Sequence, residues 1–219
     1  MLVRDFMTRH PLMAEPTMPI IEAQRYMGAN AIRHLPIAGD GKRLLGLVTR
    51  ERLLLDPGRL GSLDIWQIVD TLTELTVGDV MVEAQDVVAI DEGATIETAA
   101  RVMVDRGVGC LPVLKNGILV GIITDTDLLA HLTEMMVVNP PVPAVRVTVR
   151  MPNVPGELAK LVGVIASHGW GILSCGGALY AKDPDLWDAV IKLTDVDQTT
   201  AMDVLGKVEG QKIVDVRVA

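Results

Sequence analysis

The chain has 219 residues, 49% hydrophobic but only 3% aromatic with a single Phe, so an aliphatic core dominates and an aromatic platform for single-stranded nucleic acid is excluded. Its net charge of −8 is uneven: residues 1–60 balance at +3 and the remainder at −11, a poor match to general nucleic-acid binding. No apolar run reaches the roughly 18–20 residues that cross a bilayer, and no charged-then-apolar signal pattern opens the sequence, so the expectation is a cytoplasmic protein without membrane or nucleic-acid partners.

In chain order, the first feature is a repeat. "VRDFM" (Val3–Met7) returns as "VGDVM" (Val77–Met81) at an offset of 74. "HLPI" (His34–Ile37) returns as "CLPV" (Cys110–Val113) at 76, and "GLVTRERLL" (Gly46–Leu54) as "GIITDTDLL" (Gly121–Leu129) at 75. After each Met anchor comes a short extended apolar stretch, "PLMA" or "DVVAI". A helix follows, "PIIEAQRYMGAN" or "TIETAARVMVDRG", the second with Ile96, Ala99, Ala100, Met103 and Val104 at helical spacing. Gly28/Asn30 and Gly107 are the expected left-handed caps. Two strands joined by "GDGK" or "KNG" come next, then a helix opened by Thr49 or Thr124. Between the copies, residues 61–74 read as a helix in which Trp66 is packing.

Three prolines in the four residues Pro140–Pro143 mark a linker over 137–143. Beyond it the pattern changes to strand ("AVRVTVR"), helix with Leu158, Leu161, Val162 and Ile165 on one face, two strands, helix and strand. This βαββαβ order is that of a ferredoxin-like sandwich. Cys110 and Cys175 form no CxxC pair and read as small core residues with reduced thiols.

Nothing points to catalysis. His10, His34, His131 and His168 lack metal-ligand spacing, Ser174 lies in no GxSxG elbow, and "GWGILS" follows a helix instead of opening one. The expectation is a protein that is not an enzyme and has neither cofactor nor metal. Binding chemistry concentrates instead at "TDTD". Thr124, Thr126 and Asp127 bracket a helix start, where free N–H groups favour phosphate oxygens and a carboxylate accepts from both hydroxyls of a ribose. The alternative is that Thr124 and Asp127 only cap the helix. In the first copy Thr49 persists, but Glu51 and Arg52 replace Thr126 and Asp127. Arginine has no acceptor for ribose, so one competent site is expected, with Arg33, His34, Thr49, Arg50 and Arg52 either as phosphate contacts neutralising a polyphosphate or as plain surface charge with a helix-face Glu–Arg arrangement.

The repeat, its "LPV" strand and its [ST]-x-[ST]-D phrase resemble the CBS domain, a module that works in tandem. The "NVPGEL" turn makes residues 144–219 resemble an ACT domain, and the whole is similar to the bacterial acetoin-utilisation regulatory CBS–ACT proteins. The resemblance implies an α+β chain with βαββα copies at 1–60 and 75–136, followed by the ACT-type domain. It implies an adenine nucleotide (AMP, ADP or ATP) at Thr124, Thr126 and Asp127, with Gly109, Cys110, Leu111 and Pro112 around adenine. It implies a homo-oligomer that regulates a separate partner. In the ACT-like part Asn153, Gly156, Glu157 and Leu158 are the effector candidates; Asn153 lacks the charge of the family's usual Asp. A purely structural assembly protein and an accessory subunit of a separate enzyme remain the other readings.

Overall fold

The computed structural model describes residues 1–53 and 75–219. The expected helix at 61–74, Trp66 and the end of the first copy's last helix lie outside the described residues. The chain divides into two compact units, Met1–Leu129 and Ala130–Ala219.

In the first unit each copy's anchor packs in the other copy. The anchors wind into single helical turns, α1 (Val3–Phe6), followed by the short strand β1 (Thr8–Arg9). The first copy continues with α2 (Ile20–Ala29), β2 (His34–Ala38) and β3 (Leu44–Thr49). The second repeats this as α3 (Val77–Val80), β4 (Val82–Glu83), β5 (Ile90–Asp91), α4 (Ile96–Arg106), β6 (Cys110–Lys115), β7 (Ile118–Thr124) and α5 (Asp125–Met135). Yet β1 pairs with β7, Thr8 opposite Ile122, while β4 pairs with β3, Leu47 opposite Val82. The resulting sheets run β1-β7-β6-β5 and β2-β3-β4, with Ala14 bridging Ile37 in the parallel sense in which Ile90 pairs with Val113. Fully buried Val3 belongs to the core of Ile90, Ala99, Met103, Leu111, Val113 and Ile123, and Val77 to that of Ile20, Ala23, Met27, Leu35, Ile37 and Val48. Leu47, Cys110 and Ile122 join the two halves.

The shared glycine of "GLVT" and "GIIT" follows from this exchange. A Cβ on Gly121 would lie 2.3 Å from Met7 Sδ, and one on Gly46 would lie 2.6 Å from Met81 Sδ and 2.5 Å from the Val82 carbonyl oxygen. The exchanged methionine lies on the strand where a side chain would otherwise stand.

Caps differ between the copies. Gly107 is left-handed (φ 63°) as expected, with Val108 N–H donating to the Met103 carbonyl. In the first copy neither Gly28 nor Asn30 takes this role. Gly28 lies inside α2, and Ala31 (φ 52°) makes the left-handed turn while Ile32 N–H reaches the Met27 carbonyl. Val104 is 81% exposed and not part of the buried face of α4, which is Ile96, Ala99 and Met103.

The second unit has the order β8 (Val145–Pro152), α6 (Glu157–Ser167), β9 (Gly171–Leu179), β10 (Leu186–Thr194), α7 (Gln198–Leu205) and β11 (Lys212–Val218). Its antiparallel sheet runs β11-β8-β10-β9. Alternation in β8 buries Val145, Val147, Val149 and Met151 against Leu161 and Ile165 of α6. Outward-facing Arg150 makes a two-point bond to Asp188 (2.7 and 2.8 Å) with its guanidinium 3.4 Å over the Tyr180 ring. Two expectations fail here. Leu158 is exposed, because the turn of α6 inserts Glu157 instead; Cys175 is exposed, because β9 is the sheet edge. Among the described residues no helix is long and apolar enough to cross a membrane.

Candidate functional site

β7 ends and α5 begins at "TDTD", and the carboxylates there satisfy the helix start. Thr124 N–H and Oγ1 both donate to Asp127 Oδ2 (2.8 Å each), while Asp127 N–H donates to Thr124 Oγ1 (3.3 Å). This is the expected cap, and the exchanged anchor repeats it, Thr76 N–H and Oγ1 donating to Asp79. Asp125 takes the next donors. Its Oδ1 accepts from Thr126 N–H (2.7 Å), from Thr126 Oγ1 (3.2 Å) and from Arg33 Nη2 (2.9 Å); Arg33 also donates to Thr126 Oγ1 (3.2 Å).

Arg33 belongs to the first copy, so the contact joins the copies across a cavity of about 350 Å³. Its wall comprises Thr124, Thr126, Asp127 and Ile122 from the second copy, Arg33, His34, Pro36, Ile32 and Ala31 from the first, and Thr8, Pro11 and Leu12 from the exchanged N-terminal segment. That size lies within the range of small-molecule sites, and the wall combines apolar surface with a few convergent polar groups.

Charge at the cavity is set by neighbours. Burial, and then the Arg33 charge, lower the His34 pKa below its ordinary 6.5 against the opposing pull of Asp125 and Glu51, so the ring is neutral at neutral pH. For Asp125 partial burial acts to raise the pKa, but the bonds from Thr126 and Arg33 and the charge of Arg33 prevail and hold the carboxyl below its usual range. Burial pushes the Cys110 thiol up to about 12, so it is a packed thiol and not a nucleophile.

The structure brings Thr124, Thr126, Asp127, Arg33 and His34 together on one wall. Gly109, Cys110, Leu111 and Pro112 are not on this wall: β6 is a central strand, and Cys110, Leu111 and Pro112 are buried. Gly109 is close behind, its carbonyl accepting Asp125 N–H (3.0 Å). Their first-copy counterparts Arg33, His34 and Pro36 stand on the wall instead, an exchange that the 76-residue offset encodes. Thr49 pairs with His34 across the strands, and Arg50 and Arg52 are exposed and absent from the wall. Arg52 Nη1 donates to the Val80 carbonyl (3.3 Å) of the exchanged anchor. The wall residues Thr8, Pro11 and Leu12 carry no sequence signal at all.

At the "NVPGEL" turn, Gly156 is left-handed (φ 96°) and Asn153 Nδ2 donates to the Pro184 carbonyl (3.4 Å). Glu157 is buried and accepts from Lys160 and from Gln211 Nε2 (3.1 Å).

Residues 3–56 and 77–134 match the family described as CBS domain. A crystal structure of a putative acetoin utilization protein from Vibrio cholerae is 33% identical with a TM-score of 0.52, covering 63% of this chain and 96% of that one. CBSX2 of Arabidopsis thaliana, solved in complex with AMP, shares the fold at 23% identity and a TM-score of 0.52, covering 62% of this chain and 98% of that one. Uncharacterized protein MJ1225 of Methanocaldococcus jannaschii is 29% identical over 133 residues, 59% of this chain, which spans only 46% of that relative's length.

Proposed function

The chain belongs to the CBS-domain family, and from that premise we propose that it is a non-catalytic regulator that holds an adenosine-containing small molecule in the cavity between its two CBS copies and passes its state to a separate partner protein. The copies occupy 1–60 and 75–136 with a connector at 61–74, a linker spans 137–143, and residues 144–219 form an ACT-type module. The assembly is a homo-oligomer.

The observation that carries this reading is the wall itself. Asp127 lines the cavity together with Thr124 and Thr126, while Pro11, Leu12, Ile32, Pro36 and Ile122 supply the apolar surface a purine needs. The AMP of CBSX2 gives the ligand class by analogy. Regulation follows only when the ligand binds two arrangements of the protein unequally. The effector role of Asn153, Gly156, Glu157 and Leu158 is weaker, since Glu157 is already committed to Lys160 and Gln211.

Calorimetric titration with adenosine tests the site. Asp127→Ala is expected to weaken binding by about 1.5–3 kcal/mol, the range for a hydrogen bond to a charged group. Unchanged affinity in a folded variant overturns the assignment.

A further inference from the structure

An anion seat at a helix start needs free N–H donors and an unpaired cation. At α5 both are already engaged by the chain's own carboxylates. Thr124 N–H is held by Asp127, and Thr126 N–H by Asp125. The guanidinium of Arg33, the one cation on the wall among the described residues, is paired with Asp125 at 2.9 Å. Arg50 and Arg52 do not reach the wall, and burial beside Arg33 keeps His34 neutral. Asp125 stands behind the wall, bound to the wall residues Arg33 and Thr126, and offsets the guanidinium, while Asp127 on the wall adds a second carboxylate, so this end of the cavity carries a net negative charge.

We propose that Asp125 makes the cavity discriminate against 5′-phosphates and favour adenosine compounds whose 5′ substituent is neutral or cationic. This rests on the nucleoside-site reading above and narrows it. A phosphate entering beside Thr126 competes with Asp125 for Arg33 Nη2 and for the Thr126 N–H, and lies next to the Asp125 carboxylate. A hydroxyl or an ammonium group needs no such competition, and an ammonium gains from both carboxylates. The first copy supplies the contrast, since Arg50 stands at the position corresponding to Asp125.

The test is a calorimetric series on the full chain at neutral pH and low salt, using adenosine, 5′-amino-5′-deoxyadenosine, AMP and ATP, which differ in charge at one end only. The amine is expected to bind at least as tightly as adenosine, AMP about tenfold more weakly, and ATP more weakly still. Asp125→Asn, and Asp125→Ser as a variant that keeps a capping oxygen for the Thr126 N–H, are each expected to raise the AMP-to-adenosine affinity ratio about tenfold. AMP binding more tightly than adenosine to the unaltered protein, or an unchanged ratio in both folded variants, overturns the selectivity and leaves the nucleoside site standing. Failure of all the compounds to bind overturns the site and the selectivity together.

Discussion

Over the described residues the two CBS copies share one order of elements and carry opposite side-chain chemistry at the same position. In the second copy Asp127 closes a cap on Thr124 and lines the cavity; in the first Arg52 turns away to the Val80 carbonyl. Likewise Arg33 and His34 of the first copy face the cavity, whereas Cys110 of the second is buried between the halves. Duplication therefore built the frame, and divergence divided the work: one copy contributes the helix start and the other the facing strand. A symmetric pair would present two equivalent sites. Here the cavity that holds the Thr124–Asp127 turn is assembled from unlike halves.

The sharpest way to break the comparison is at the glycines, which the exchange of anchors makes equivalent. An added methyl on Gly46 meets the Val82 backbone carbonyl at 2.5 Å, which cannot move without shifting β4. On Gly121 the nearest atoms belong to the flexible Met7 side chain, with the Thr8 carbonyl at 3.1 Å. Gly46→Ala is expected to destabilise by about 3 kcal/mol and Gly121→Ala by about 1 kcal/mol in urea unfolding. Equal costs would show that the two anchors do not differ in rigidity.

A smaller difference separates the helix starts. Asp127→Ala removes the cap of α5 and is expected to cost about 1 kcal/mol of stability without ligand. Arg52→Ala loses one long bond from an exposed side chain and should stay within about 0.5 kcal/mol. Thermal unfolding of the two variants side by side measures this; a larger loss for Arg52→Ala would reverse the assignment of structural roles.

The smallest effect concerns pH. His34, facing Arg33, Asp125 and Glu51, has a folded pKa below its unfolded value of 6.5. The unfolded chain thus binds this proton first, so stability is full above that value and falls as pH drops below it towards the lowered folded pKa. His34→Gln is expected to flatten the stability profile in that window, and Cys110, its counterpart in the second copy, contributes no titration there. A profile as steep as that of the unaltered protein would place the titration elsewhere.

Much of this was legible from local pattern. The alternation of Val145, Val147, Val149 and Met151, the helical spacing around Met103 and the "NG" turn at Asn116–Gly117 each report a periodicity or a dihedral preference confined to a few residues. Local rules failed where packing overrode them. Val104 lies at a good helical spacing, yet nothing covers it; Ala31 takes a left-handed turn that composition assigns to glycine or asparagine.

By itself the sequence determined the duplication, the order of the longer helices and strands among the described residues and the chemical asymmetry of "TDTD" against "TRER", because these depend on identity and spacing along the chain. Only the tertiary structure decided that Val3 and Val77 are buried in each other's copies and that Arg33 meets Asp125, 92 residues away. It also decided that Arg33, His34 and Pro36, and not Gly109–Pro112, line the cavity with Thr124, Thr126 and Asp127. The reason is physical: near-identical repeats leave self-pairing and exchange indistinguishable in local propensity, and the choice is made by which arrangement buries both anchors while leaving room on Gly46 and Gly121 for the methionines that cross over.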